Sequence, residues 1–417
     1  MKKLKIAQVC PYPLSPPGGV KEHVLALTKE FRRLGHQVIV IAPGEPEPAP
    51  IEGVVTFGRA VPIFTINGSQ SVISFYNEAL WEPLEEFLGR EDFDVIHIHT
   101  PTCPFLSWQI LYAAKTTIVA TFHTDLDWGI LSQLVQRSFL KAINIFLSAK
   151  IDGSIAVSQT AKKFAKECFR SNDRIIPNGV DTQRFYPSGK TRVKKSRVKI
   201  LFVGRLEKRK GLSYLIRAMA QLPSDYPAEL EVIGNGPERG EAEDLVDNLG
   251  LRDKVIFLGR ANDQEIPKRY RQADIFCSPA IGAESQGIVL LEAIASALPL
   301  AVFANPGYRE FLADYPEKRC LVEPHDSEKL AQTLVLLIRN EELRLKLGKW
   351  SRGKSLDYDW TRIAQEVLAF YEVVMARRKI DKEKQRKFAK RILIPLHERF
   401  LKALNGTRER LGKNLYS

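Results

Sequence analysis

Gly282-Ala283-Glu284-Ser285-Gln286-Gly287-Ile288-Val289-Leu290-Leu291-Glu292-Ala293 sets two carboxylates eight residues apart across a glycine-to-helix junction. Ala273-Asp274-Ile275-Phe276-Cys277-Ser278-Pro279, just before it, reads as a buried strand. Ile288 to Ala297, just after it, reads as a helix. Glu284 therefore falls in the loop at the C-terminal end of a strand, and Glu292 about one turn into the helix. Between them, the backbone N–H groups near Gly287, Ile288 and Val289 are the unpaired donors of a helix start, which suits an anion. A phosphate held there has a carboxylate on either side, placed to accept hydrogen bonds from sugar hydroxyls.

The same alternation runs through the chain. Lys5 to Val9, Gln37 to Ala42, Phe93 to His99, Thr117 to Phe122, Ile151 to Val157 and Asp173 to Pro177 read as strands, with an amphipathic helix from Val20 to Leu34. Val198 to Gly204 opens a second cycle, with a helix from Gly211 to Leu222 and strands Glu229 to Gly234, Lys254 to Leu258, Asp274 to Pro279 and Leu298 to Phe303. Leu330 to Ile338 and Trp360 to Met375 are late helices. The pattern predicts an α/β fold with parallel sheets. A basic, polar stretch over 188–197 marks the boundary, so the expected units are 1–187 and 198–360, a closing helix over 361–376 and a tail over 377–417. Ligands of such sheets bind at the C-terminal ends of strands, so two facing sheets make a cleft between domains.

With 417 residues, 44% apolar and 27% charged, the chain has the composition of a soluble globular protein of two ordinary domains. No apolar run approaches the ~20 residues of a membrane span. Met1-Lys2-Lys3-Leu4-Lys5-Ile6 passes straight into a strand without the apolar region of a signal peptide. Five scattered cysteines with no CxxC point to a reducing, cytoplasmic setting and no zinc site. From Arg377 onward, 14 Lys/Arg stand against 4 Asp/Glu, so the tail holds +10 of the chain's net +13. Phe388, Ile392, Leu396, Phe400 and Leu404 give that tail one apolar face, interrupted by Pro395. Such a segment either binds an anionic membrane surface or packs on the body. No nucleic-acid module accompanies the charge.

Several other strand-end turns carry chemistry. In Gly204-Arg205-Leu206-Glu207-Lys208-Arg209-Lys210-Gly211, Arg205 and Lys210 can both reach a diphosphate; alone, the segment is equally a solvated basic turn. Gly18 and Gly19, before the first helix, let the backbone approach a ligand closely. His123 ends a strand in Thr121-Phe122-His123-Thr124-Asp125 and can bond a sugar hydroxyl. Asp125-Leu126-Asp127 is formally an Asp-x-Asp metal signature, but no third ligand stands near it in sequence. His97 and His99 share one face of a strand, and core or cleft packing is the better reading than a metal pair. Gly234-Asn235-Gly236-Pro237-Glu238-Arg239-Gly240 lacks the spacing of a dinucleotide fingerprint and reads as a turn near the nucleotide.

The Glu284 to Ala293 segment resembles the paired-glutamate motif of family-4 retaining glycosyltransferases. Within that family the chain is most similar to the phosphatidylinositol mannosyltransferases. Val9-Cys10-Pro11-Tyr12, Gly18-Gly19, Ala60-Val61-Pro62-Ile63 with Asn67-Gly68-Ser69, and Ala120-Thr121-Phe122-His123-Thr124 carry the likeness. The resemblance implies two facing Rossmann-like domains (the GT-B fold) and a C-terminal helix crossing back to the first domain; the basic helical tail beyond it is expected from its own charge and apolar face. It implies a nucleotide-sugar donor held by Gly18, Gly19, Arg205, Lys210, Glu284, Gly287, Ile288, Val289 and Glu292. Arg205 and Lys210 would neutralise the leaving diphosphate, Glu284 would bind the sugar, Glu292 the ribose, and His123 would orient the reacting centre. Tyr12 and Asp125 would meet the acceptor, a membrane lipid such as phosphatidylinositol, and no metal or other cofactor is expected. The chain departs from that group at Leu14-Ser15-Pro16, at Trp128, and in Asn77 to Gly89, which has four Glu and no basic residue. Membrane contact is thereby expected to move to the tail. A soluble or polysaccharide acceptor and a nucleotide-sugar epimerase of the same fold are the alternative readings. An oxidoreductase is disfavoured by the missing fingerprint, and a non-catalytic scaffold by the complete Arg, Lys, Glu and His set.

Overall fold

A computed structural model of the protein describes residues 2–14, 18–44, 52–64, 70–74, 81–103, 105–123, 147–169, 174–188, 197–223, 226–262, 264–282 and 284–378. The first sheet contains β1 (Lys5–Val9), β2 (Gln37–Gly44), β3 (Val54–Phe64), β4 (Gln70–Ser74), β5 (Val95–His99), β6 (Thr117–Phe122), β7 (Gly153–Ala156) and β8 (Arg174–Ile175). Their order is β4-β3-β2-β1-β5-β6-β7-β8, parallel except for the antiparallel β3–β4 pair. The second sheet contains β9 (Val198–Val203), β10 (Ala228–Ile233), β11 (Val255–Gly259), β12 (Ile275–Ser278), β13 (Leu300–Phe303) and β14 (Leu321–Val322), in the order β11-β10-β9-β12-β13-β14 and parallel throughout. Each sheet reverses direction of winding beside its first strand, between β1 and β5 and between β9 and β12. Connections diverge there and leave a crevice at the strand C-termini.

Runs such as Ile200-Leu201-Phe202 and Phe276-Cys277 are buried on both faces, as parallel strands covered by helices require. In the first sheet the two faces divide by strand parity. Ala7, Ile96, Ile98, Ala120 and Phe122 join one core, while Ile6, Val95 and Val119 join the other. The second of these cores is closed by the last described helix, Trp360–Arg378, through Ile363, Val367, Phe370, Tyr371 and Val374. The chain returns to the first domain where Val180 N–H donates to the Tyr358 carbonyl at 2.8 Å and Trp360 N–H to the Val180 carbonyl at 3.2 Å. Trp360 then lies against Gly179, where an added Cβ would come within 2.5 Å of the indole.

Most strands stand within a residue or two of the expected spans. The β3–β4 hairpin and the helices Arg239–Asn248, Glu265–Gln272 and Glu341–Ser355 were not marked by the sequence reading. The charge-rich helices Arg239–Asn248 and Glu341–Ser355 bury only narrow apolar stripes, so their periodicity is faint. The tail over 379–417 lies outside the described residues.

Candidate active site

The paired-glutamate segment sits between the sheets. Glu284 is on the loop after β12, and Gly287 caps the helix Ile288–Ala295 without a side-chain cap. Gly287 has φ +80°, and a Cβ there would lie 2.7 Å from Tyr308 Cε1. The tight turn therefore needs glycine, and it presents the first-turn N–H groups of Ile288 and Val289 uncapped. Across the cleft, Gly19 begins the helix Gly19–Arg33; a Cβ on it would meet Ile288 Cδ1 at 3.3 Å. Two helix N-termini, one from each domain, thus come together.

The basic turn after β9 folds onto the same point. Lys208–Lys210 forms a single 3₁₀ turn closed by Gly211, whose φ is +68°. A Cβ at Gly211 would stand 2.0 Å from the Pro279 carbonyl oxygen, so only glycine lets the turn close against the end of β12. Ile281 N–H donates to the Arg209 carbonyl at 2.9 Å and completes that junction. Lys210 Nζ then donates to Glu284 Oε1 at 2.5 Å, and Arg209 Nη1 donates to the same oxygen at 2.8 Å. Arg209 Nε also donates to Glu207 Oε2 at 2.9 Å, and Arg205 Nη2 stands 3.0 Å from Glu207 Oε1. Lys210, Glu284, Arg209, Glu207 and Arg205 form a ladder of alternating charge. Glu207 is buried and Arg205 about half exposed. The expected pair was Arg205 and Lys210; the ladder adds Arg209 and Glu207. Arg209 was hidden among four basic residues in a row of six, and no spacing rule selects it. Glu292, one turn into its helix, accepts from the Tyr270 hydroxyl at 2.8 Å.

On the facing domain the polar residues of β1, β5 and β6 continue the face that is apolar at their start. Gln8 follows Ile6, His97 and His99 follow Val95, and Thr121 and His123 follow Val119. All five are buried. His99 Nδ1 lies 3.1 Å from His123 Nε2, and His99 Nε2 lies 2.6 Å from Gln8 Oε1. His97 bonds Tyr371 and Thr121. His23, from the Gly19–Arg33 helix, packs edge-on against His123 with centroids 4.6 Å apart, and its Nδ1 lies 2.9 Å from Asn178 Oδ1. Desolvation pushes the His23 imidazole down to about 4 and those of His97, His99 and His123 well below the usual value. These rings are therefore neutral near pH 7. Among the described residues, His23, His99 and His123 bring one ring nitrogen each within 4.8 Å of one another. The hydrogen bond between His99 and His123 already accounts for part of that approach. His97 and His99 were expected to pack, and their rings lie against each other with centroids 4.2 Å apart, each hydrogen-bonded to other residues.

The two domains are fastened by the same residues. Ser285 Oγ donates to the His123 carbonyl at 2.5 Å, and Asn178 N–H donates to Gln286 Oε1 at 2.8 Å. Glu310 accepts from the backbone N–H groups of Gln159 and Thr160 at 2.7 and 3.2 Å, capping a helix of the first domain from the second. Tyr12 is partly buried on the loop after β1, where burial pushes its phenol up, so it stays protonated. Gly18 opens onto free space, with nothing within 4 Å of an added Cβ. Asp125 and Asp127 lie outside the described residues.

Two facing parallel-sheet domains with an uncapped helix start and a cationic turn between them have the architecture of the GT-B glycosyltransferases. Sequence comparison carries this further. The model of Glycosyltransferase Family 4 matches residues 17–184, and that of the group 1 glycosyl transferases matches residues 188–354. A phosphatidyl-myo-inositol mannosyltransferase of Mycolicibacterium smegmatis is 35% identical over 383 residues, covering 89% of this chain and 94% of its own length. One from Propionibacterium freudenreichii is 32% identical over 388 residues, covering 89% and 95%. The chain belongs to the family-4 glycosyltransferases and is similar to their phosphatidylinositol mannosyltransferases. Solved structures agree on the fold. A glycosyltransferase from Rickettsia africae superposes with a TM-score of 0.70 at 18% identity, covering 90% of this chain and 99% of its own. An Anabaena protein solved with UDP and glucose gives 0.68 at 20%, covering 89% and 100%.

Proposed function

We propose that this enzyme transfers mannose from a nucleoside-diphosphate sugar, GDP-mannose, to a phosphatidylinositol-type lipid with retention of configuration. The observation that carries the reading is the grip of Lys210 and Arg209 on Glu284 beside the uncapped helix start at Gly287. In the donor complex the two cations turn to the diphosphate, and Glu284 is released to the sugar hydroxyls. Arg205, the Gly19 loop and the first turn at Ile288 add to the stabilisation of charge that develops on the leaving group. That cationic set replaces a metal, so transfer is metal-independent. Glu292 binds the ribose. His123 orients the sugar from the other wall, and Tyr12 lies on the acceptor side.

The bond from sugar C1 to the diphosphate oxygen breaks as the bond from C1 to the acceptor oxygen forms on the same face. The acceptor proton passes to the departing diphosphate oxygen. The choice of mannose and of a phosphatidylinositol acceptor follows the names of the relatives. The basic tail would hold the enzyme at an anionic cytoplasmic membrane face; no described helix is long and apolar enough to cross a membrane. A thermal-shift panel of GDP- and UDP-sugars, followed by turnover on phosphatidylinositol vesicles, tests the reading. Stabilisation by none of them, or transfer to no lipid, would overturn it.

A further inference from the structure

Three rings of the buried histidine line face one another. One ring nitrogen each of His23, His99 and His123 lies within 4.8 Å of the other two, and among the described residues this group holds no carboxylate or thiol. The three come from separate elements: His23 from the helix Gly19–Arg33, His99 from the end of β5 and His123 from the residue after β6. Their ring centroids are 4.6, 5.2 and 5.3 Å apart. Imidazoles on one tetrahedral zinc ion, with bonds of about 2.0–2.1 Å, hold their nitrogens about 3.3 Å apart and their centroids about 5 Å apart. His99 Nδ1 and His123 Nε2 already stand at 3.1 Å. Drawing in the His23 nitrogen takes a shift of about 1.5 Å at most.

The groups behind the rings suit the same arrangement. A metal-bound imidazole hands its other N–H to an oxygen, which fixes the ring. His99 Nε2 lies 2.6 Å from Gln8 Oε1, and His23 Nδ1 lies 2.9 Å from Asn178 Oδ1. The Asn178 side chain also bonds His123. Gln8 is held in turn by the Tyr371 hydroxyl, which accepts from Gln8 Nε2 at 3.2 Å. These hydrogen bonds can run in either direction. A bound ion selects the one in which the amide oxygens accept, so that His23 Nε2, His99 Nδ1 and His123 Nε2 each keep a lone pair for the metal. Burial keeps the rings neutral near pH 7, so binding displaces no proton.

We propose that His23, His99 and His123 form a zinc site in the wall of the cleft. Three neutral nitrogens suit zinc and not Mg²⁺ or Mn²⁺, which take oxygen ligands. The ion fastens the helix that begins at Gly19 to the ends of β5 and β6, and so braces the wall that faces the Glu284 loop. It has no part in the transfer proposed above, where Lys210, Arg209 and Arg205 meet the diphosphate. Chelating it therefore loosens the wall without abolishing turnover.

Zinc titration of the full chain, followed by X-ray absorption at the zinc edge, tests the site. About one equivalent should bind, with a first shell that includes three imidazole nitrogens at about 2.0–2.1 Å. The melting temperature should rise with added zinc. Asn178→Ala removes the amide behind His23 and His123 and should lower zinc affinity about 10- to 100-fold; His99→Gln removes a ligand and should cost more. His325→Gln, at an exposed histidine, should leave the affinity unchanged. Failure of the wild type to bind zinc, or a first shell without three imidazoles, overturns the proposal, and neither measurement needs a variant to fold. So does unchanged affinity in a folded His99→Gln protein. Zinc binding is read without any nucleotide sugar, so a wild type that transfers no sugar counts against the proposed function and not against the site.

Discussion

Replacing Glu284 with Gln separates two jobs that one carboxylate performs. Glu284 Oε1 takes hydrogen bonds from Lys210 at 2.5 Å and Arg209 at 2.8 Å. Hydrogen bonds to charged groups contribute about 1.5–3 kcal/mol each, so diphosphate must displace a partner of appreciable strength. Gln keeps the shape and one acceptor oxygen but removes the charge, which roughly halves each bond. About 1.5 kcal/mol of competition is then relieved, and a bare nucleoside diphosphate should bind roughly tenfold tighter. The sugar, by contrast, loses its charged acceptor in the transition state. Turnover should fall by about 10²–10³, the cost of removing one preorganised group. Calorimetric titration of GDP and UDP, alongside steady-state turnover of the nucleotide sugar, reads both effects. Diphosphate affinity falling tenfold together with turnover, at unchanged melting temperature, would refute the reasoning. Glu284 would then be a strut that aims the two cations, not a competitor for them.

Arg205→Ala should lose about 2–4 kcal/mol of transition-state stabilisation with the fold intact, because the side chain is half exposed; donor turnover within a few-fold of wild type would remove Arg205 from the diphosphate site. Transfer should persist in excess EDTA, and loss of activity restored by Mg²⁺ or Mn²⁺ would reverse the assignment of metal-independence. The folded His23 titrates near 4, well below the ~6.5 of an unfolded histidine, so the unfolded chain binds more protons between those values. Stability is therefore fully present above about pH 6.5 and is lost toward pH 4, by up to about 3 kcal/mol from this residue alone; equal urea midpoints at pH 7.5 and 5 would contradict that. A chain ending at Met375 should keep GDP binding and lose salt-sensitive binding to anionic vesicles, since each Lys or Arg near such a surface contributes about 1 kcal/mol; equal co-sedimentation of both chains would eliminate the tail as the membrane contact.

Which of these groups could be read from the sequence follows from how local their causes are. The Glu284 loop is a local pattern of strand, glycine and apolar helix, so its placement between β12 and the helix after it was legible in twelve consecutive residues. Lys210 and Arg205 were legible as charges at a strand end. That Arg209 and Lys210 share one carboxylate oxygen depends on the left-handed Gly211 and its contact with Pro279, two segments about seventy residues apart in the chain. The histidine line was harder still. His97 and His99 could be seen to share a face, but their partners come from β1, β6 and the last helix, and Gln8 and Tyr371 are 363 residues apart. His23 carries no local signal in the Gly19–Arg33 helix; its burial between His123 and Trp360 needs the crossing helix in place.

Among the described residues, the bonds that join the two walls at the Glu284 loop and at Glu310 can be sized one by one. Ser285 to the His123 carbonyl and Asn178 N–H to Gln286 are neutral hydrogen bonds, contributing about 0.5–1.5 kcal/mol each. Glu310 on the Gln159 and Thr160 amides adds a charge-assisted pair of about 1.5–3 kcal/mol per bond. Together they come to a handful of kcal/mol, against which the freedom gained by two separate domains must be set. A donor held as proposed by Lys210, Arg209 and the two helix starts would interact with both walls together and so favour the arrangement in which they meet. Ser285 and Gln286 lie between Glu284 and Gly287, so the bonds that join the two walls and the proposed donor site are on one loop. Closing the cleft sets the His123 backbone and the donor loop in register with each other in a single step.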